Sequence, residues 1–104
     1  MSVQLVVLYP NPTDIKEFHR RYSAEHLPMG KSSMTAATNL SSYRIVGSPS
    51  GKAEFAQMTV ITFPSLEALK ESAALPAVQK TIANAVEIST GGAPHFLILQ
   101  DEAA

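Results

Sequence analysis

A chain of 104 residues, 45% of them hydrophobic and 16% charged, is long enough to bury one core and too apolar to stay disordered. Its net charge of −1 provides no basic excess to neutralise phosphates, which argues against nucleic acid as a partner. With no cysteine, disulfides, thiolate metal sites and a Cys nucleophile are excluded. No apolar run approaches a membrane span or a signal-peptide core, so the expected compartment is the cytoplasm.

Residues 3–9, VQLVVLY, are rich in β-branched and aromatic types and stop at Pro10, which predicts a first strand. NPTD supplies turn and cap chemistry, with Thr13 or Asp14 able to accept from the first free N–H groups of a helix. Residues 14–26 read as that helix. At about 100° per residue, Ile15, Phe18, His19, Tyr22 and His26 share one stripe. Pro28 disfavours helical geometry at Leu27, so the helix is expected to end or kink there.

Residues 30–42 are small and polar and read as a loop, with room for a short helical turn. A second strand is expected over 43–47, a turn at SPSGK, and a third strand over 54–63 ending at Pro64. Ser65 caps a second helix, interrupted at Pro76 and resumed from that residue, a proline position tolerated in a first helical turn. STGGAP breaks the chain, HFLILQ forms a fourth strand, and DEAA is a tail.

The order β-α-β-β-α-β, without repeats or linkers, predicts a single ferredoxin-like α+β sandwich over residues 1–104, with two helices on one face of a four-stranded antiparallel sheet. The strands also carry a second message. A sheet with one wet face alternates apolar and polar residues. Here Val3, Leu5, Val7 and Tyr9 oppose Val6 and Leu8, and Phe96 and Ile98 oppose Leu97 and Leu99. Two helices cover one face only, so a second copy of the chain is the expected cover for the other.

The helical stripe carries the candidate chemistry. Tyr22 and His26 are one turn apart on the same face, and a phenol beside an imidazole is a plausible acid–base pair near neutral pH. His26 stands at the helix end, where Phe18, Leu27 and Met29 could line the entry to a cavity and His95, opening the last strand, could approach it. Structural readings stand beside these: Tyr22 as core with its hydroxyl at the rim, His26 as a helix C-cap, His19 as a structural or surface residue, His95 as a surface residue. No metal set is visible, because His19 and His26 are separated by about 10 Å of helix rise and Glu25 and Asp14 do not complete a site. TGGAP has the wrong order of elements for a phosphate loop, and nothing points to a nucleotide, flavin or nicotinamide cofactor.

At these residues, LYP…D…FHRRYSAEHLPM…Y, the chain resembles the EthD family, named for degradation of ethyl tert-butyl ether. The matching positions are Tyr9, Pro10, Asp14, Phe18, Tyr22, His26 and Pro28. The resemblance is dense up to Gly30, thinner through Tyr43 and the third strand, and rests on fold order beyond Ser65. It implies a dimeric α/β barrel made of two ferredoxin-like sheets packed face to face. Related barrels include lactone isomerases, polyketide cyclases and monooxygenases that need no cofactor. By that similarity His26 is the acid–base group and Tyr22 its partner. The segments TNLSS and STGGAP depart from the family's pattern, which leaves substrate class open.

Three functions follow as expectations. The first is a cofactor-independent enzyme acting on a hydrophobic carbonyl, lactone or aromatic compound. The second is a non-catalytic protein that binds such a molecule. The third is a structural dimer in which His26 is only a cap.

Overall fold

The computed structural model describes residues 2–102. The last two residues of the expected tail, 103 and 104, lie outside the described residues. The elements are β1 (Val3–Pro10), α1 (Ile15–Arg21), a π-helical turn (Tyr22–His26), α2 (Leu27–Ser33), β2 (Asn39–Arg44), β3 (Phe55–Phe63), α3 (Leu66–Ala73), α4 (Pro76–Ile88) and β4 (His95–Gln100). The strands form one antiparallel sheet in the order β2-β3-β1-β4, which is the ferredoxin-like arrangement.

Register places Val3, Leu5, Val7 and Tyr9 opposite Phe63, Ile61, Thr59 and Gln57, and these eight residues share the face that meets the helices. On that face Val3, Ile61 and Phe63 pack with Met34, Leu69 and Val78, while Val7 and Tyr9 pack with Phe18, Tyr22, Ala85 and Ile88. Burying such side chains contributes roughly 1.5–3 kcal/mol each. The opposite face carries Val6, Leu8, Met58, Val60, Leu97 and Leu99. Every residue of β4 is exposed, and Phe96, Leu97, Ile98 and Leu99 form an apolar run on this edge strand.

Caps follow the sequence. Asp14 accepts from the Glu17 N–H, Ser65 accepts from the Ala68 N–H, and Pro76 opens α4. Two elements differ from expectation. The first helix does not end before Pro28 but runs on to Ser33. In a continuous α-helix the proline ring would press on the carbonyl four residues back. The π turn, in which the Leu27 N–H donates to the Tyr22 carbonyl, resets the register first. Pro28 then falls in the first turn of α2, where its missing N–H removes no bond.

The second strand lies at Asn39–Arg44 rather than 43–47. Ser41 and Ser42 carry no strong strand preference, but β2 is an edge strand whose pairing to β3 supplies the missing propensity.

At STGGAP, a Cβ on Gly91 would lie 1.8 Å from the Asn11 carbonyl oxygen, and Gly92 has φ +137°. Backbone approach, rather than phosphate binding, accounts for these glycines.

Candidate active site

α1, the π turn and α2 lie over the sheet so that Phe18, Tyr22 and His26 all point inward, with Tyr22 3% and His26 8% exposed. The π turn keeps Tyr22 and His26 on one inward side while the helix continues past Pro28. Their rings are 5.5 Å apart, but the imidazole does not bond the Tyr22 hydroxyl. Its Nε2 lies 3.1 Å from the hydroxyl of Tyr9, on the central strand β1. Its Nδ1 lies 2.9 Å from Oδ1 of Asn84, on α4. Tyr22 instead shares its hydroxyl with Ser42 of β2 and Thr59 of β3. The expected Tyr22–His26 pair is therefore two adjacent strings, Asn84–His26–Tyr9 and Ser42–Tyr22–Thr59. Each is anchored on different elements.

The two strings meet one wall of a narrow cavity between the helices and the sheet, with about 30 Å³ of free interior. That is space for a water or two. The rest of its lining is largely aliphatic, including Leu5, Leu27, Met34, Leu40, Ile61 and Ile82. Phe96 also lines it and is 40% exposed, which marks the side nearest solvent.

Burial sets the electrostatics. Tyr9 is fully buried, and desolvation, reinforced by Tyr22, holds its phenol well above the ordinary tyrosine range. Tyr9 is therefore neutral. Desolvation also lowers the His26 pKa, partly opposed by its bond to Asn84, so the ring is neutral at pH 7. The C-cap reading of His26 does not hold, because the helix continues and the ring bonds two side chains.

Of the residues expected around the cavity, Tyr22, His26 and Leu27 line it. Phe18, Met29 and His95 do not. Phe18 is core behind the wall, edge-on to Tyr9 at 5.3 Å and stacked on Tyr22 at 5.8 Å. Met29 is half-buried on α2 outside the cavity, although its neighbours Leu27 and Gly30 line it. His95 pairs in register with Leu8, which aims it to the opposite face of the sheet, where its ring meets Phe55 at 5.2 Å. His19 is half-buried outside the cavity, and burial followed by the Arg44 charge lowers its pKa.

Asn84, Ser42 and Thr59 were not visible as site residues from sequence. Each belongs to an element distant along the chain, and only sheet register and helix packing bring them in. Tyr9 had one signal, its place in the Tyr-Pro motif. Among the described residues no cluster of His, Asp or Glu could hold a metal ion. No described helix is long and apolar enough to cross a membrane.

No protein-family model and no curated protein matches the sequence. Solved structures do. An EthD family protein from Bacillus halodurans superposes with a TM-score of 0.90 at 24% identity, covering 98% of this chain and 100% of that one. A ferredoxin-like protein of unknown function from Jannaschia sp., described as dimeric, gives 0.73 at 14% identity over 97% and 100%. SnoaB from Streptomyces nogalater, a cofactor-independent oxygenase, gives 0.67 at 10% identity over 99% and 95%. The chain thus has the fold of an EthD family protein, in agreement with the motif resemblance between Tyr9 and Pro28.

Proposed function

We propose that this chain is a small EthD-type protein that binds an apolar carbonyl, lactone or aromatic compound between its helices and sheet. His26 moves a proton on that compound without a cofactor. The observation that carries this reading is the buried His26–Tyr9 hydrogen bond on the wall of an otherwise aliphatic cavity. A ligand oxygen entering that wall competes for the Tyr9 O–H. Once the phenol re-aims toward the ligand, His26 Nε2 is free as a base. It takes a proton from the carbon next to the ligand carbonyl, the electron pair moves onto the carbonyl oxygen, and the Tyr9 hydroxyl holds that oxygen, joined by the Tyr22 hydroxyl once it turns from Ser42 and Thr59. Return of the proton from the imidazolium to a different atom completes an isomerisation; in a cyclisation the enolate carbon first bonds to a second carbonyl carbon of the same compound, and the oxygen released there takes the proton.

The free interior is smaller than such a ligand, so entry requires the aliphatic lining to yield. Met34, unbranched and flexible, is the side chain best suited to do so. The cofactor-independent oxygenase with the same fold supports the idea that this scaffold can house chemistry run by side chains and substrate alone.

A second reading is a binding or accessory protein, favoured by the fact that the Tyr22, Ser42 and Thr59 hydroxyls already satisfy one another. The same pocket then holds its ligand unchanged. The exposed apolar residues of β4 and the open sheet face support assembly as a homodimer, with the second copy covering Leu8, Met58, Val60, Leu97 and Leu99.

The test is a screen of phenols, lactones and 1,3-diketones for turnover, followed by His26→Ala, Tyr9→Phe and Tyr22→Phe. The enzyme reading expects His26→Ala to lose 100-fold or more on the active compound, the scale of general acid–base catalysis. Binding without chemical change across the panel supports the accessory reading. Unchanged turnover in all three variants overturns the assignment of residues.

A further inference from the structure

The two side chains that meet the His26 ring favour one proton arrangement. The Tyr9 hydroxyl is buried, and among the described residues the one hydrogen-bond partner recorded for it is His26 Nε2. A buried phenol O–H left without an acceptor costs about 1–3 kcal/mol. Pairing that O–H within the protein calls for a lone pair on Nε2, which places the ring proton on Nδ1. At 2.9 Å from Nδ1 stands Asn84 Oδ1, an acceptor in the right place. Asn84 is half-buried on α4, with Ala85 and Thr81 on the adjoining buried stripe, so its position is fixed by helix packing rather than by a mobile loop.

From this we infer that Asn84 is a positioning residue: it holds His26 in the Nδ1–H tautomer, so that Nε2 faces Tyr9 and the cavity as an acceptor. Its catalytic consequence rests on the reading of His26 as the proton-moving group, but the tautomer itself does not. An amide is suited to this task. It orients the ring as a carboxylate would, yet adds no full charge, so burial still keeps the imidazole neutral. A neutral imidazole is a mild base. It fits substrates whose proton is already acidified by adjacent carbonyls or an aromatic ring, such as 1,3-dicarbonyls and phenols.

The experiment is nitrogen-15 NMR of the histidine rings at pH 7.5 in the full chain, with His26 assigned by comparison with His26→Gln. The expected spectrum shows His26 as Nδ1–H with an unprotonated Nε2. In Asn84→Leu, which keeps a helix-compatible side chain and removes the acceptor, the Nδ1–H preference is lost. In Asn84→Asp the Nδ1–H tautomer persists and the ring titrates at least about one unit higher than in the parent, as an adjacent carboxylate demands. If a turnover assay is in hand, Asn84→Asp moves the acidic limb of its pH profile upward by the same amount, an effect loss of structure alone would not produce.

Should Asn84→Leu fail to fold, the parent spectrum and Asn84→Asp still decide the matter. An Nε2–H tautomer in the parent, or an Asn84→Leu spectrum unchanged from it, overturns the inference. A correct tautomer with no turnover on any compound upholds Asn84 as the ring's anchor and removes the catalytic reading instead.

Discussion

The hydroxyl of Tyr9, on the central strand, and Nε2 of His26, at the end of a π-helical turn, are 3.1 Å apart in the interior of the fold. This contact ties the helical layer to the sheet at the wall of the cavity, and it makes Tyr9 rather than Tyr22 the direct partner of the imidazole. Tyr9→Phe removes the phenol and leaves Nε2 buried without its donor. The expected loss is about 1–2 kcal/mol in urea unfolding, the scale of a buried hydrogen bond whose other partner stays behind. A loss under about 0.3 kcal/mol would show that the bond does not form in solution.

Stability should fall as pH drops from 7.5 toward 5. Burial lowers the pKa of His26, and burial with the Arg44 charge lowers that of His19. In the unfolded chain both rings bind protons near the ordinary value of about 6.5. Below that value the unfolded state takes up more protons than the folded state, so folding loses free energy until the folded rings also titrate. Urea midpoints measured across this window should decline, and His26→Gln should flatten part of the slope. A midpoint that rises as pH falls would contradict the buried, neutral state of these rings.

Two glycines should respond unequally to alanine. At Gly91 a Cβ meets the Asn11 backbone at 1.8 Å, so Gly91→Ala forces the 89–94 loop away from the end of β1 and is expected to cost more than about 2 kcal/mol. At Gly47 no atom lies within 4 Å of the added Cβ, and Gly47→Ala should change stability by no more than about 0.5 kcal/mol. Thermal unfolding of the pair separates close backbone approach from a general preference for glycine.

Gly30 distinguishes stability from binding. It lies within α2 and lines the cavity, and an added Cβ would sit 3.6 Å from Leu40 Cδ1, an ordinary contact. Gly30→Ala should therefore stabilise the fold by up to about 1 kcal/mol through helix propensity. The same methyl narrows the cavity, so affinity for any ligand found there should fall. A variant that gains stability and binds as before would place the ligand elsewhere.

Most of the fold was legible in the sequence, because the strands at 3–10, 55–63 and 95–100, the caps at Asp14 and Ser65, and the proline at Pro76 are each determined by local chemistry. The two departures share a cause. The π turn and β2 are stabilised by what they pack or pair with, and local propensity at Leu27 or Ser41 does not carry that information. The site divides in the same way. Tyr22, His26 and Leu27 lie on one helical stripe and could be read together. Asn84, Ser42 and Thr59 are more than 15 residues away along the chain, at separations of 58 from His26 and of 20 and 37 from Tyr22. The two readings of His95 could not be separated from sequence, because a strand residue's face depends on its partner, here Leu8.

Charge on the open sheet face should break the proposed dimer. Leu97 and Leu99 are 47% and 46% exposed in the single chain and share that face with Val6. Leu97→Lys combined with Leu99→Glu should yield a monomer by light scattering at micromolar concentration, while the parent runs as a dimer. A parent that is monomeric under the same conditions would leave the apolar edge strand uncovered and the proposal without support.

The most direct test of the central claim, that His26 and Tyr9 face a ligand, is to follow the His26 ring by NMR while phenols, lactones and 1,3-diketones are titrated into the protein. The account predicts that one class shifts the His26 Nε2 signal selectively and saturably, that His95 stays unmoved, and that Tyr9→Phe weakens the effect. If every class leaves His26 unmoved at millimolar concentration, the Asn84–His26–Tyr9 string is a structural tie between helix and sheet, and the functional reading fails.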